Sequence, residues 1–187
     1  MSVTKPSLES VLISESCLQQ RIRELGTQIF TDYENQELVL LGVLRGSVLF
    51  FADLARAIFK AQHESQAREV ALRFEFVQLV SYHDSLRPST VQLIRGGSDY
   101  LKQQHVLIVE DIIDTGRTLN FLCEHLQTLN PKTVKICTLL DKPSQRQVSV
   151  TVDYIGFEIP DTFVVGYGLD YAQQYRNLPY IAALESI

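Results

Sequence analysis

The chain has 187 residues, 45% hydrophobic and 21% charged, enough to bury a sizeable core as one domain. Its net charge of -5 argues against a broad electrostatic footprint for nucleic acid, and no stretch reaches the roughly 18 uninterrupted apolar residues of a membrane span. The N-terminal residues Met1 to Glu9 lack the apolar core of a secretory signal, so a cytoplasmic location is expected. The three cysteines, Cys17, Cys123 and Cys137, have no CxxC spacing and sit among apolar residues, which suggests neither disulfides nor a zinc site but reduced packing residues.

In chain order, Ser14 to Tyr33 predicts a helix, with Ser14 as N-cap and Leu18, Ile22, Leu25 and Ile29 at helical spacing. Leu38 to Leu44 predicts the first strand of the core, and Ser47 to Lys60 a second helix carrying Val48, Phe51, Leu54, Ala55 and Ile58 on one side. Val70 to Val80 reads as a strand, and the polar, proline-containing Ser81 to Thr90 as a mobile loop. Further strands are predicted at Val106 to Val109, Val134 to Leu140 and Val152 to Phe157, with a helix over Thr118 to Leu129 closed by Asn130-Pro131. Strands alternating with helices imply right-handed crossovers and an α/β fold: a mostly parallel sheet flanked by helices, with ligands beyond the carboxyl ends of its strands. Functional loops are therefore expected after Leu44, Val109 and Leu140.

The stretch His105 to Leu119, HVLIVEDIIDTGRTL, carries the most chemical information. A buried strand runs into acids, then Asp-Thr-Gly-Arg-Thr, then a helix. Thr115, Gly116, Arg117 and Thr118 would present backbone N–H groups at a helix N-terminus, which is a cradle for phosphate. Glu110 and Asp111 would repel that anion unless they faced something else, and a ribose diol accepts two carboxylates as hydrogen-bond partners. The plainer alternative is an acidic loop in which an Asx turn caps the helix. Arg45 and Gly46, in LRGS, stand at the same sheet edge, where a second anion could bind; an ordinary strand-to-helix turn is the alternative.

VLIVEDIIDTGRTL resembles the phosphoribosyl pyrophosphate-binding signature of type I phosphoribosyltransferases, and its Glu-Asp-Ile-Ile-Asp-Thr-Gly wording is similar to the hypoxanthine-guanine branch. The resemblance runs from about Ile13 to the C-terminus, through GVLRGSVLFFADL, the Ser81-Tyr82 loop, LLDKPSQR and VDYIGFEIPDTFVVGYGLDYAQQYRNLPYI. It implies the type I phosphoribosyltransferase fold in one domain over 1–187, with a core of about 35–145 and a small hood from about 1–15 and 146–187. It also implies purine salvage, with phosphoribosyl pyrophosphate and a 6-oxopurine as substrates, Mg2+ as cofactor, no nucleic acid or membrane partner, and a homodimer or homotetramer. A nucleotide-sensing RNA-binding regulator of the same fold and a xanthine-preferring enzyme are the alternatives.

The resemblance also distributes roles. Glu110, Asp111, Asp114, Thr115, Gly116, Arg117 and Thr118 would bind the phosphoribosyl group. Arg45, Gly46 and Arg176 would bind pyrophosphate, the first two through a turn that commonly holds a non-proline cis peptide before its basic residue; many relatives carry lysine where this chain has Arg45. Lys142 would meet the exocyclic oxygen of the base, Phe163 would stack on it, and Val164, Leu169 and Asp170 would complete the purine contacts. Ser81 and Tyr82 would belong to a loop that closes over the reacting centre. Magnesium would be held by ligand oxygens with help from Asp170 and from Glu110 or Asp111. Asp114 is the expected catalytic base, taking the proton from the attacking ring nitrogen.

Overall fold

A computed structural model describes residues 8–65, 69–82, 90–95 and 99–185. The elements run β1 (Leu8–Ile13), α1 (Glu15–Asp32), β2 (Glu37–Leu44), α2 (Val48–Ser65), β3 (Ala71–Tyr82), β4 (Thr90–Arg95), β5 (His105–Ile113), α3 (Arg117–Thr128), β6 (Thr133–Asp141), β7 (Tyr154–Glu158), β8 (Val164–Val165) and β9 (Ile181–Leu184). Six strands form the main sheet in the order β4-β3-β2-β5-β6-β7. Five of them are parallel, and β4 pairs antiparallel with β3 at one edge.

Alternation along the central strands sorts the core into two layers. Leu38 and Leu40 of β2 and Leu107 and Val109 of β5 face α1 and α2, against Leu18, Ile22, Leu25, Ile29, Phe50, Leu54 and Ile58. Val39, Leu41 and Val43, with Val106 and Ile108, face the other way, against Leu119, Leu122 and Leu126 of α3. This period of two is what a sheet covered on both faces demands. Each fully buried side chain of this size contributes roughly 1.5–3 kcal/mol.

The helices begin and end close to their predicted limits, and Ser14 caps α1 by accepting from the Cys17 N–H at 3.3 Å. Cys17 itself corrects the expectation of three packing cysteines: it is exposed, Cys123 is partly covered and only Cys137 is buried. Two strand ends also differ from the sequence reading. β5 continues four residues past Val109, because Glu110 to Ile113 keep their parallel register with Thr138 to Asp141. The acids thus lie on the strand, and the loop begins only at Asp114. β3 likewise runs through Ser81 and Tyr82, whose backbones pair with Val91 and Thr90, so these two are strand residues; 83–89 of the expected loop lie outside the described residues.

A second sheet of three strands, β1-β9-β8, joins the two ends of the chain in antiparallel pairs. β7 belongs to the main sheet through its pairing with β6, so the segment 146–187 is divided between the two sheets.

Candidate active site

The carboxyl ends of β2, β5 and their following turns enclose a cleft of about 440 Å³. Arg45, Gly46, Glu110, Asp111, Asp114, Thr115, Gly116, Thr118, Asp170 and Arg176 all line it. Ten residues singled out along the sequence therefore meet in one place, although they come from three separate parts of the chain.

The turn after β5 is the first wall. Gly116 is the N-cap of α3 and has φ of 80°, with no side-chain cap, so the Asx-turn alternative is not what closes this helix. Arg117 N–H donates to Thr115 Oγ1 at 3.4 Å, which leaves the amides on either side of it as the cradle. Asp114 is exposed to the cleft, whereas Gly116 is buried beneath it. A Cβ on Gly116 would lie 2.7 Å from the Val148 carbonyl, so the positive φ and the close approach both demand glycine.

Glu110 and Asp111 form the floor. Glu110 is 7% exposed, and its carboxylate turns back to the Asp111 N–H at 3.3 Å, while Asp111 Oδ1 accepts from the Ile112 N–H at 2.9 Å. Burial first, and then the neighbouring Asp111 charge, push the Glu110 carboxyl well above the usual carboxylate range. Burial also raises Asp111, against the opposing pull of its hydrogen bonds and of Arg176. The floor thus sets a buried acid, Glu110, beside a half-buried one, Asp111, at the cleft.

The turn after β2 is the opposite wall. Its Leu44–Arg45 peptide is cis. Asp111 lies directly over Gly46: a Cβ there would stand 1.5 Å from Asp111 Oδ2. Gly168, with φ of 102°, presses from the other side, where a Cβ would be 1.9 Å from the Gly46 carbonyl oxygen. Arg176 is fixed to this stack, Nη1 donating to the Gly168 carbonyl at 2.7 Å and Nη2 pairing with Asp170 Oδ1 at 2.6 Å. Asp170 is thereby half of an ion pair, but one that lines the cleft.

The model for the phosphoribosyl transferase domain family matches residues 14–172. The chain belongs to the phosphoribosyltransferase family. This phosphoribosyltransferase is 42% identical over 182 residues to the hypoxanthine-guanine phosphoribosyltransferase of Bacillus subtilis, covering 97% of this chain and 96% of that protein. It is 45% identical over 174 residues to the hypoxanthine phosphoribosyltransferase of Escherichia coli K12, covering 91% and 92%. The crystal structure of a hypoxanthine-guanine phosphoribosyltransferase from Bacillus anthracis superposes with a TM-score of 0.85 at 41% identity, over 97% of this chain and all of that one. The five parallel strands flanked by helices are the type I phosphoribosyltransferase fold.

Of the residues expected at the base, Asp170 alone lines the cleft of this phosphoribosyltransferase. Lys142, Phe163, Val164 and Leu169 are not among its lining residues, and neither is Arg117. Lys142 is not a solvated surface lysine: it is 7% exposed, its Nζ lies 3.6 Å from Asp161 Oδ1, and its N–H donates to the Ile113 carbonyl beside Asp114. Phe163 is 52% exposed with its ring edge-on to Tyr171, whereas Val164 is a buried residue of β8 and Leu169 is buried. Gln78 and Gln173 line the cleft without having been anticipated. Gln173 Oε1 accepts from both Arg45 Nη1 at 3.5 Å and Arg176 Nη2 at 3.4 Å. Nothing in the sequence marks a glutamine as a bridge between distant arginines. Arg146 and the buried Asp141 also went unassigned, although both belong to the quoted LLDKPSQR; their opposite charges five residues apart after a strand were the available signal.

Proposed function

We propose that the chain transfers the 5-phosphoribosyl group from phosphoribosyl pyrophosphate to hypoxanthine or guanine, forming IMP or GMP and pyrophosphate. The observation that carries this reading is the opposition of two strand-to-helix turns, one rich in main-chain amides and one flanked by arginines, across the carboxylates of Glu110 and Asp111. A sugar bearing phosphate at one end, hydroxyls in the middle and pyrophosphate at the anomeric carbon matches that order of groups.

In this reading the amides of Asp114, Thr115, Gly116 and Thr118 bind the 5-phosphate, with the Arg117 side chain and the hydroxyls of Thr115 and Thr118 at its edge. Glu110 and Asp111 accept from the 2- and 3-hydroxyls. Arg45, the Gly46 turn and Arg176 bind the pyrophosphate. Lys142, Phe163, Val164, Leu169 and Asp170 receive the purine, Lys142 opposite its exocyclic oxygen and Phe163 on its face. Ser81 and Tyr82 help keep water from the ribose cation.

As the bond from the anomeric carbon to the pyrophosphate oxygen breaks, the purine ring nitrogen bonds to that carbon and gives its proton to Asp114. Arg45 and Arg176 take up the charge of the leaving pyrophosphate. Among the described residues, no three acidic, histidine or cysteine side chains come together to hold a metal by themselves. The donors present are carboxylate oxygens beside an open cleft, which fits Mg2+ held mainly by ligand oxygens with one or two carboxylates, here Asp170 and Glu110 or Asp111. Bound there, magnesium would supply charge neutralisation at the pyrophosphate. Among the described residues no helix is long and apolar enough to cross a membrane, and we place the enzyme in the cytoplasm as a homodimer or homotetramer, free of nucleic acid.

The test is a spectrophotometric assay with phosphoribosyl pyrophosphate and magnesium against hypoxanthine, guanine, xanthine and adenine. Turnover of hypoxanthine or guanine is expected. Turnover of adenine alone, or of none of the four, overturns the reading, and a preference for xanthine overturns its choice of base.

A further inference from the structure

Three consecutive carbonyls of the cradle are tied to one short segment behind it. The Ile113 carbonyl accepts from the Lys142 N–H at 2.9 Å, and the Thr115 carbonyl from the N–H groups of Gln147 and Val148 at 3.0 and 3.1 Å. Between them, the Asp114 carbonyl accepts from Arg146 Nη1 at 2.6 Å. This middle bond is the one made by a side chain. The other arm of the same guanidinium, Nη2, is ion-paired with Asp141, a residue only 5% exposed at the end of β6. Arg146 therefore bridges the sheet to the backbone of the proposed catalytic residue, and its Cδ packs near the position a Cβ on Gly116 would take.

Peptide planarity gives these bonds a direction. In a trans peptide the carbonyl and the following N–H point to opposite sides, and among the described residues the Leu44–Arg45 bond is the cis one. Carbonyls of Ile113, Asp114 and Thr115 aimed at 142–148 turn the N–H groups of Asp114, Thr115 and Gly116 away from that segment. Those three residues line the cleft. The back of the cradle thus decides which way its front faces.

We propose that Arg146 is a positioning residue for phosphoribosyl transfer. Its Asp141-anchored fork holds the Asp114 carbonyl so that the cradle amides face the 5-phosphate and the Asp114 carboxyl faces the base. It touches no substrate. A planar fork is required, because one arm must reach Asp141 while the other reaches the carbonyl; lysine has one nitrogen for both. The proposal rests on the function assigned above, whose failure reads separately: if the wild-type chain makes no nucleotide, that function fails, while nucleotide affinity still reports on Arg146.

The experiment compares the wild-type chain with Arg146→Met, Arg146→Lys and Asp141→Asn. Calorimetric affinities for GMP and for guanosine are measured beside KM for each substrate, kcat and the thermal midpoint. Arg146→Met is expected to weaken GMP binding and raise KM for phosphoribosyl pyrophosphate on the order of tenfold or more. Guanosine, which lacks the phosphate, should change by less than about twofold. Arg146→Lys should recover part of the loss, and Asp141→Asn should fall between. A tie that merely stabilised the fold would lower the thermal midpoint while GMP and guanosine weakened equally, and that result overturns the proposal. Should Arg146→Met fail to fold, GMP affinity at the wild-type level in both Arg146→Lys and Asp141→Asn overturns it as well.

Discussion

The two turns that face each other across the cleft solve the same problem by opposite means. Each follows a parallel strand, leads into a helix and is suited to an anion. The turn after β5 presents main-chain amides, with its carbonyls drawn back onto 142–148 and its one glycine at a positive φ. The turn after β2 depends on side-chain cations and on tight steric fit, with Asp111 and Gly168 pressed onto either side of Gly46. A backbone cradle tolerates exchange of many side chains provided its shape is held. A sterically closed turn tolerates almost none at its glycine. This difference predicts where substitutions will hurt.

The largest effect is expected at the steric turn. Gly46→Ala places a methyl group 1.5 Å from Asp111 Oδ2, so either the turn or the carboxylate must move and both walls of the site lose register. We expect kcat/KM to fall by more than about a hundredfold, since displacement of a site by about an ångström can cost that much. Steady-state kinetics on folded protein within tenfold of wild type would show that the turn is looser than its packing indicates.

Next is Asp114→Asn, which keeps the backbone cradle and removes the proton acceptor. A drop in kcat of roughly 10²–10⁴-fold is expected, with KM for phosphoribosyl pyrophosphate little changed. An unchanged kcat would remove Asp114 from the chemistry and leave it a member of the cradle alone.

A smaller effect, on stability, concerns the floor between the turns. Glu110 has a folded-state pKa raised above its unfolded value, so its contribution to stability is fully present below the ordinary glutamate range and is lost as pH rises through the raised value. Glu110→Gln should therefore raise the thermal midpoint near pH 8, where folding of wild type must either bury the charge or hold a proton the unfolded chain has lost, and bring less gain near pH 4. Differential scanning at the two pH values measures this. A gain that is equal at both, or larger in acid, contradicts the sign. The same variant should bind nucleotide more weakly, having exchanged an acceptor for a donor beside the diol.

The smallest change is expected from Arg45→Lys. Arg45 is exposed, and its Nη1 contact with Gln173 is long at 3.5 Å, so the point charge should replace the fork with less than about a fivefold change in pyrophosphate inhibition. A much larger loss would show that the fork, rather than the charge, grips the leaving group.

Much of this was legible because the relevant signals are local. The apolar runs Leu38 to Leu44 and Val106 to Val109, helical spacing from Leu18 to Ile29, and the Glu-Asp-x-x-Asp-Thr-Gly run are all read over a few residues. Ten of the residues named from those runs, from the end of β2 and from the family resemblance line one cleft. The acids were misplaced onto a loop because carboxylates at the end of an apolar run look like its termination. In the fold, the strand persists through them because neighbouring β6 offers a matching ladder as far as Asp141. β1 and β9 give no sequence signal for a related reason: short strands formed by pairing the two ends of the chain have no periodicity long enough to detect.

By itself, then, the sequence determined the α/β alternation, the apolar face of the helices and the chemistry available at the phosphate turn, all consequences of spacing along the chain. Only the tertiary structure decided that Asp111 would lie over Gly46, that Gln173 would join two arginines, and that Arg146 would hold the Asp114 carbonyl. The Arg146–Asp114 bond spans 32 positions and the Arg45–Gln173 bond 128, and no local pattern encodes which surfaces meet when a sheet closes its loops together.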